Sequence, residues 1–142
     1  MKKLLQLFMV LALVLVPSMC FAQREFPDGT VLNDKEEFIY NKIEQEAKQY
    51  YYPSSIRFKH VHSFDLEKYR KDGGVLSIGI TCKNRSGGKN ITTITWVKTD
   101  RYGEDIASEC EGIEDEYFQD KDVDITKLNH LWKTYHAADD DE

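Results

Sequence analysis

Residues 80–96 read ITCKNRSGGKNITTITW. Two β-prone runs flank a knot of Ser, Gly, Gly, Lys and Asn. Upstream, Leu76, Ile78, Ile80 and Cys82 recur at every second position, the period of a strand with one face buried. Downstream, Ile91–Val97 is β-branched at almost every position, and Ile94 and Trp96 fall on one face. Gly87 and Gly88 supply the backbone freedom that a sharp reversal requires. The stretch therefore predicts a hairpin, strand 75–82 to strand 91–97, with Arg85, Lys89 and Asn90 at a tip that a partner could touch.

Two chemical readings of the loop fail on geometry. A phosphate-cradling loop needs a Gly five residues before the Gly-Lys, a hydroxyl residue after it, and then a helix. Here Lys83 and Asn90 occupy the two positions and a β-branched run follows. Ser86-Gly87-Gly88-Lys89 has the Ser-x-x-Lys spacing of penicillin-interacting enzymes, and Lys98-Thr99-Asp100 echoes their Lys-Thr-Gly. That chemistry needs Ser and Lys one helical turn apart, whereas two glycines disfavour such a turn by about 1 kcal/mol each.

Outward from the hairpin, Asn33 with Glu36 three residues on forms a capping box. Ile39, Ile43, Ala47 and Tyr51 then follow at i, i+4, so an amphipathic helix of about four turns is expected before Pro53. The triplet Tyr50-Tyr51-Tyr52 has the look of a stacking platform, but its place at the helix end favours packing at the core and its rim. Residues 56–62 alternate Ile56, Phe58, His60 and His62 against Arg57, Lys59 and Val61, a strand. A polar stretch with Tyr69 leads to a Gly73-Gly74 turn, residues 100–105 read as another turn, and residues 106–118 fit strand or helix equally. Asp124 can cap a last helix through Leu128, Leu131, Trp132 and Tyr135. The fold class expected is α+β: N-terminal amphipathic helix, small antiparallel sheet of about three to four strands, C-terminal helix and one disulfide.

Lys2 and Lys3, the apolar run 4–16, and Cys20-Phe21-Ala22 have the layout of a secretory signal peptide, residues 1–22, cleaved before Gln23. The alternative, lipidation of Cys20, is disfavoured by Pro17 and Met19 in place of the usual Leu and small residue. The expectation is export across the inner membrane to the periplasm or beyond, with no membrane-spanning segment after cleavage. One domain, 23–138, and a disordered acidic tail, 139–142, would remain.

The chain from Gln23 carries 17 basic and 25 acidic side chains, net −8. Arg24–Lys98 is net +3, whereas Thr99–Glu142 is net −11. Such an acidic half repels nucleic acid and anionic lipid. It suits a basic protein or cations, or serves only as a solvated acidic surface; the partner expected is a protein or envelope component. Cys82 and Cys110, the two cysteines after Cys20, would pair in an oxidising compartment. Closing the loop between them would stabilise the fold by roughly 3–4 kcal/mol in the chain-entropy model.

Metal candidates are weak. Asp120, Asp122 and Asp124 imitate the start of a calcium loop, but Ile125 and Leu131 stand where Gly and Glu belong. The competing reading is that Asp122 or Asp124 caps the last helix. His60 and His62, two apart on a strand, leave by one face, and His130 or His136 could add a third ligand. Asn84-Arg85-Ser86 and Asn90-Ile91-Thr92 match the glycosylation pattern, which matters only in a eukaryotic secretory pathway. No cofactor motif and no catalytic motif is present.

Pro53-Ser54-Ser55-Ile56-Arg57-Phe58-Lys59-His60-Val61 resembles the P-S-S-x-x-F-x-x-V signature of small exported, phage- and plasmid-borne bacterial proteins. In those a helix leads into this strand, and a later strand ends in an Asn-, Lys- or Ser-rich Gly-Gly segment, to which Lys83–Gly88 is similar. The resemblance implies the fold and the compartment but no reaction. It carries no disulfide pattern, because Ser77-Ile78-Gly79 stands where those proteins have Cys-Gly. The function expected is a non-catalytic binding module of the bacterial envelope or periplasm. The alternatives are a small enzyme or inhibitor built on His60, His62, Ser86 and Lys89, and a divalent-metal binder.

Overall fold

The computed structural model describes residues 24–99, 103, 105–112 and 118–140. The signal-like segment 1–22 lies outside them. Helix α1 (Asp34–Ala47) precedes a 3-10 turn (Pro53–Ser55), strand β1 (Arg57–Val61) and helix α2 (Leu66–Asp72). Strands β2 (Gly74–Lys83), β3 (Lys89–Lys98) and β4 (Asp105–Glu111) follow, then helix α3 (Ile125–Tyr135). The strands form one antiparallel sheet in the order β1-β2-β3-β4. The α+β class, both long helices and the central hairpin thus stand as the sequence patterns require. No helix among the described residues is long and apolar enough to cross a membrane.

Alternation along β2 and β3 puts Leu76, Ile78, Ile80, Cys82, Ile94 and Trp96 on one buried face. Ile39, Tyr40, Ile43 and Ala47 of α1 and Leu128, Leu131 and Trp132 of α3 join them in a single core. Each aliphatic side chain fully buried there contributes about 1.5–3 kcal/mol. At its centre Tyr40 stacks on Phe58 at 6.1 Å and meets Trp132 edge-on at 5.4 Å. The capping box is formed: Asn33 Oδ1 accepts the Glu36 N–H at 2.8 Å, and Glu36 Oε1 accepts the Asn33 N–H at 3.0 Å.

Three details differ from the sequence reading. Strand β1 carries a bulge between Phe58 and His60, so Phe58 and Val61 face the core while His60 lies opposite Gly79 on the other face. Simple alternation had placed Val61 outward and His60 beside Phe58. The polar stretch before Gly73 is helix α2, capped by Asp65, whose carboxylate accepts the Lys68 N–H at 3.0 Å. Asp139 and Asp140, expected in a disordered tail, are hydrogen-bonded to His136 and Ser54; Asp141 and Glu142 lie outside the described residues.

The expected Cys82–Cys110 disulfide is absent, and both thiols are free. Cys82 lies opposite Asn90 and Cys110 opposite Thr93, so they project from opposite faces of the sheet. Strand β3 runs between them, which separates their strands by about 9–10 Å. A disulfide tolerates Cα atoms no more than about 7 Å apart. Counting cysteines could not reveal that the two have opposite parity relative to β3.

Candidate partner-binding surface

The surface at the β2–β3 loop is built from two segments far apart in sequence. Helix α1 ends at Ala47, one turn before Tyr51, so Tyr51 leaves the buried stripe and is 46% exposed. Of the tyrosine triplet, Tyr50 packs against the core and burial pushes its hydroxyl pKa up. Tyr52 follows Tyr51 with ring centroids 5.7 Å apart. The 3-10 turn after them is anchored from beneath by Trp132, whose Nε1–H donates to the Pro53 carbonyl at 2.7 Å.

The loop meets these rings from the other side. The Arg85 guanidinium lies 5.4 Å above the Tyr51 ring, and Lys83 Nζ lies 5.2 Å above Tyr52. Each cation–aromatic pair contributes about 0.5–1 kcal/mol at an exposed site. Ser55 fastens the two segments: its Oγ accepts the Lys83 N–H at 2.8 Å and donates to the Tyr52 carbonyl at 2.6 Å.

The loop has its own scaffold in Asn84. Its Oδ1 accepts from the Ser86 N–H, the Ser86 hydroxyl and the Gly88 N–H at 2.9–3.1 Å. Its Nδ2 donates to Asn90 Oδ1 at 3.0 Å. Gly87 sits at φ +91°, a left-handed backbone conformation that favours glycine. Ser86 is therefore a structural hydroxyl of the turn. Lys89 and Asn90 open β3 and are exposed, beside a groove of about 490 Å³ shared with Glu109, Cys110 and Glu111 of β4 and with Gly112 after it.

The remaining candidates are dispersed. His60 is opposite Gly79 on β2, four residues from Lys83 at the base of the loop, which is about 13 Å along a strand. His60 and His62 are therefore beyond acid–base reach of Ser86 and Lys89. The two imidazoles do adjoin, with ring centroids 6.2 Å apart, and His62 stacks on Phe118. His130 pairs with Asp28, and His136 is stacked on Trp132 in the core layer, so neither reaches them. Among the described residues no group of three His, Cys, Asp or Glu is placed to hold a metal.

The aspartate run serves the framework. Asp120 is 2% exposed and accepts from Lys35 Nζ at 2.8 Å and from the backbone N–H groups of Asp122 and Phe64. Asp124 caps α3 by accepting the Lys127 N–H, and Asp122 is exposed. A groove of about 740 Å³ between α1 and α2 is lined in part by paired charges, Lys35 with Asp122 and Lys71 with Glu67.

Sequence inspection names Arg85, but not its position over Tyr51. That depends on where α1 ends and on the register of β1 against β2. Comparison with protein-family models, with curated proteins and with solved structures returned no match.

Proposed function

We propose that this chain is an exported, non-catalytic binding module of the bacterial envelope or periplasm. Its partner, a protein or another envelope component, contacts the face made by Tyr51, Tyr52, Lys83 and Arg85. The observation that carries the reading is the exposed Tyr51 ring held beneath Arg85 on a turn fixed by Trp132 and Ser55. Tyrosine and arginine dominate the energetic centres of protein interfaces, because each offers a large rigid contact and a polar end. Both segments are already ordered by hydrogen bonds, so little conformational entropy is lost on association. The signal-like layout of residues 1–22 and the resemblance around Pro53–Val61 support an exported location.

Quantitative affinity capture from envelope extract tests this. A component retained by the wild-type chain and lost with Tyr51→Ser/Arg85→Glu supports the reading. Equal recovery by both chains, or no specific recovery by either, overturns it.

A further inference from the structure

Beside the Tyr51–Arg85 face, the chain has already placed a carboxylate. Asp140 Oδ1 accepts the Ser54 N–H at 2.9 Å and its Oδ2 accepts the Ser54 hydroxyl at 2.7 Å. Ser54 belongs to the Pro53–Ser55 turn, whose Ser55 is bonded to Lys83 and whose Ser54 carbonyl accepts from Arg57 Nη1 at 2.9 Å. The two-donor niche thus adjoins the cations of the candidate surface. The turn is held independently of Asp140, because Trp132 Nε1 binds Pro53 and Ser55 binds Tyr52. Nor does Asp140 serve the core: it is exposed.

Resting on the binding reading above, we infer that the partner presents an acidic segment to this face, and that the chain's own Asp140 occupies its carboxylate niche until displaced. The occupant shows the ligand chemistry: a carboxylate received by one N–H and one O–H, a charge-assisted pair of hydrogen bonds. Lys83 and Arg85 supply the complementary charge for further acidic side chains, and the tail, Asp139-Asp140-Asp141-Glu142, has that composition. A tethered competitor acts at an effective concentration on the order of millimolar, so it screens out weak acidic ligands and admits strong ones.

The test is titration of a blocked peptide, Ala-Ala-Asp-Asp-Asp-Glu, into the full chain and into the chain lacking Asp139–Glu142. Its Asn/Gln counterpart is the control. The shortened chain should bind the acidic peptide at least about threefold more tightly than the full chain, given the tethered competitor it has lost. Asp140→Asn in the full chain should move affinity the same way without shortening it. Binding should weaken with added salt, with Ser54→Ala, and with Arg85→Ala. Equal affinity of full and shortened chains, or equal binding of the neutral peptide, overturns the inference. So does a full-length dimer that dissociates on deletion of the tail, since the niche would then be filled by a second copy. If the shortened chain ignores acidic peptides while Tyr51→Ser/Arg85→Glu still loses the captured partner, this inference falls and the binding reading stands.

Discussion

Asn129 of α3 exchanges two hydrogen bonds with the backbone of Phe58 on β1. Its Oδ1 accepts the Phe58 N–H at 2.6 Å, and its Nδ2 donates to the Phe58 carbonyl at 2.9 Å. The side-chain amide thus takes the place of a neighbouring strand. Further along the same edge, Gln119 Oε1 accepts the Val61 N–H, and the Val61 carbonyl accepts from Asp120 N. An open sheet edge is a template for unwanted pairing, and here a helix and a short segment cover it. Asn129→Ala should destabilise the fold by about 1–3 kcal/mol, because both Phe58 groups lose their partner while still largely buried. Urea denaturation measures this, and an unchanged midpoint would mean that the edge is satisfied another way.

Glu36 joins the starts of the two long helices. Its 1%-exposed carboxylate accepts the Asn33 N–H within α1, Lys127 Nζ at 2.6 Å, and the Asp124 N–H at 2.9 Å. Glu36→Ala should cost about 3 kcal/mol, since it removes the acceptor for three donors at once. Glu36→Gln should fall between it and wild type, as its amide keeps one acceptor. Thermal or urea unfolding of the three proteins gives the ranking.

Acid sensitivity should trace to Asp120. Burial works to raise its carboxyl pKa, but donors from Lys35, Asp122 and Phe64 outweigh that and hold it below the ordinary 3.8. A group lowered in the folded state stabilises above its unfolded value and loses that contribution as pH falls through the folded one. Wild type should therefore lose stability on acidification below about pH 4 more steeply than Asp120→Asn. Glu46 has the opposite sign: burial, then the nearby Glu109, raise it above 4.5. Its contribution is present below 4.5 and lost as pH rises through the folded value, so Glu46→Gln should gain stability relative to wild type at neutral pH. Denaturation curves for both variants across this range distinguish the two effects.

The cysteines should react independently. Cys110 is exposed, whereas Cys82 is 4% exposed, and burial pushes its thiol pKa up despite a hydrogen bond with Ser55. A thiol reagent should label Cys110 in the native reduced protein and reach Cys82 only in denaturant. Non-reducing mass spectrometry should show no intramolecular crosslink, and a Cys82–Cys110 peptide would contradict the sheet register.

Much of this architecture was legible where local rules act within a few residues. The Asn33–Glu36 box, the hairpin around Gly87 and the Asp124 cap each follow from short-range chemistry. Features set by strand register or long-range docking were not. The extra residue after Phe58 reverses the faces of His60 and Val61. The parity of β4 decides that Cys110 points away from Cys82, and the tail's contact with Ser54 spans 86 residues. Helix α2 has only two turns, too few for a periodic signal, although Asp65 with Leu66 and Tyr69 marks it in hindsight.

The most direct test of the proposed binding surface is photo-crosslinking in producing cells, with a crosslinking amino acid placed at single positions. Positions Tyr51 and Arg85 report on the candidate face, while exposed Lys68 and Lys121 lie at the other end of the strands. The account predicts a discrete adduct from positions 51 and 85 and none from 68 and 121. Adducts from 68 or 121 alone, or from all four positions alike, would contradict it.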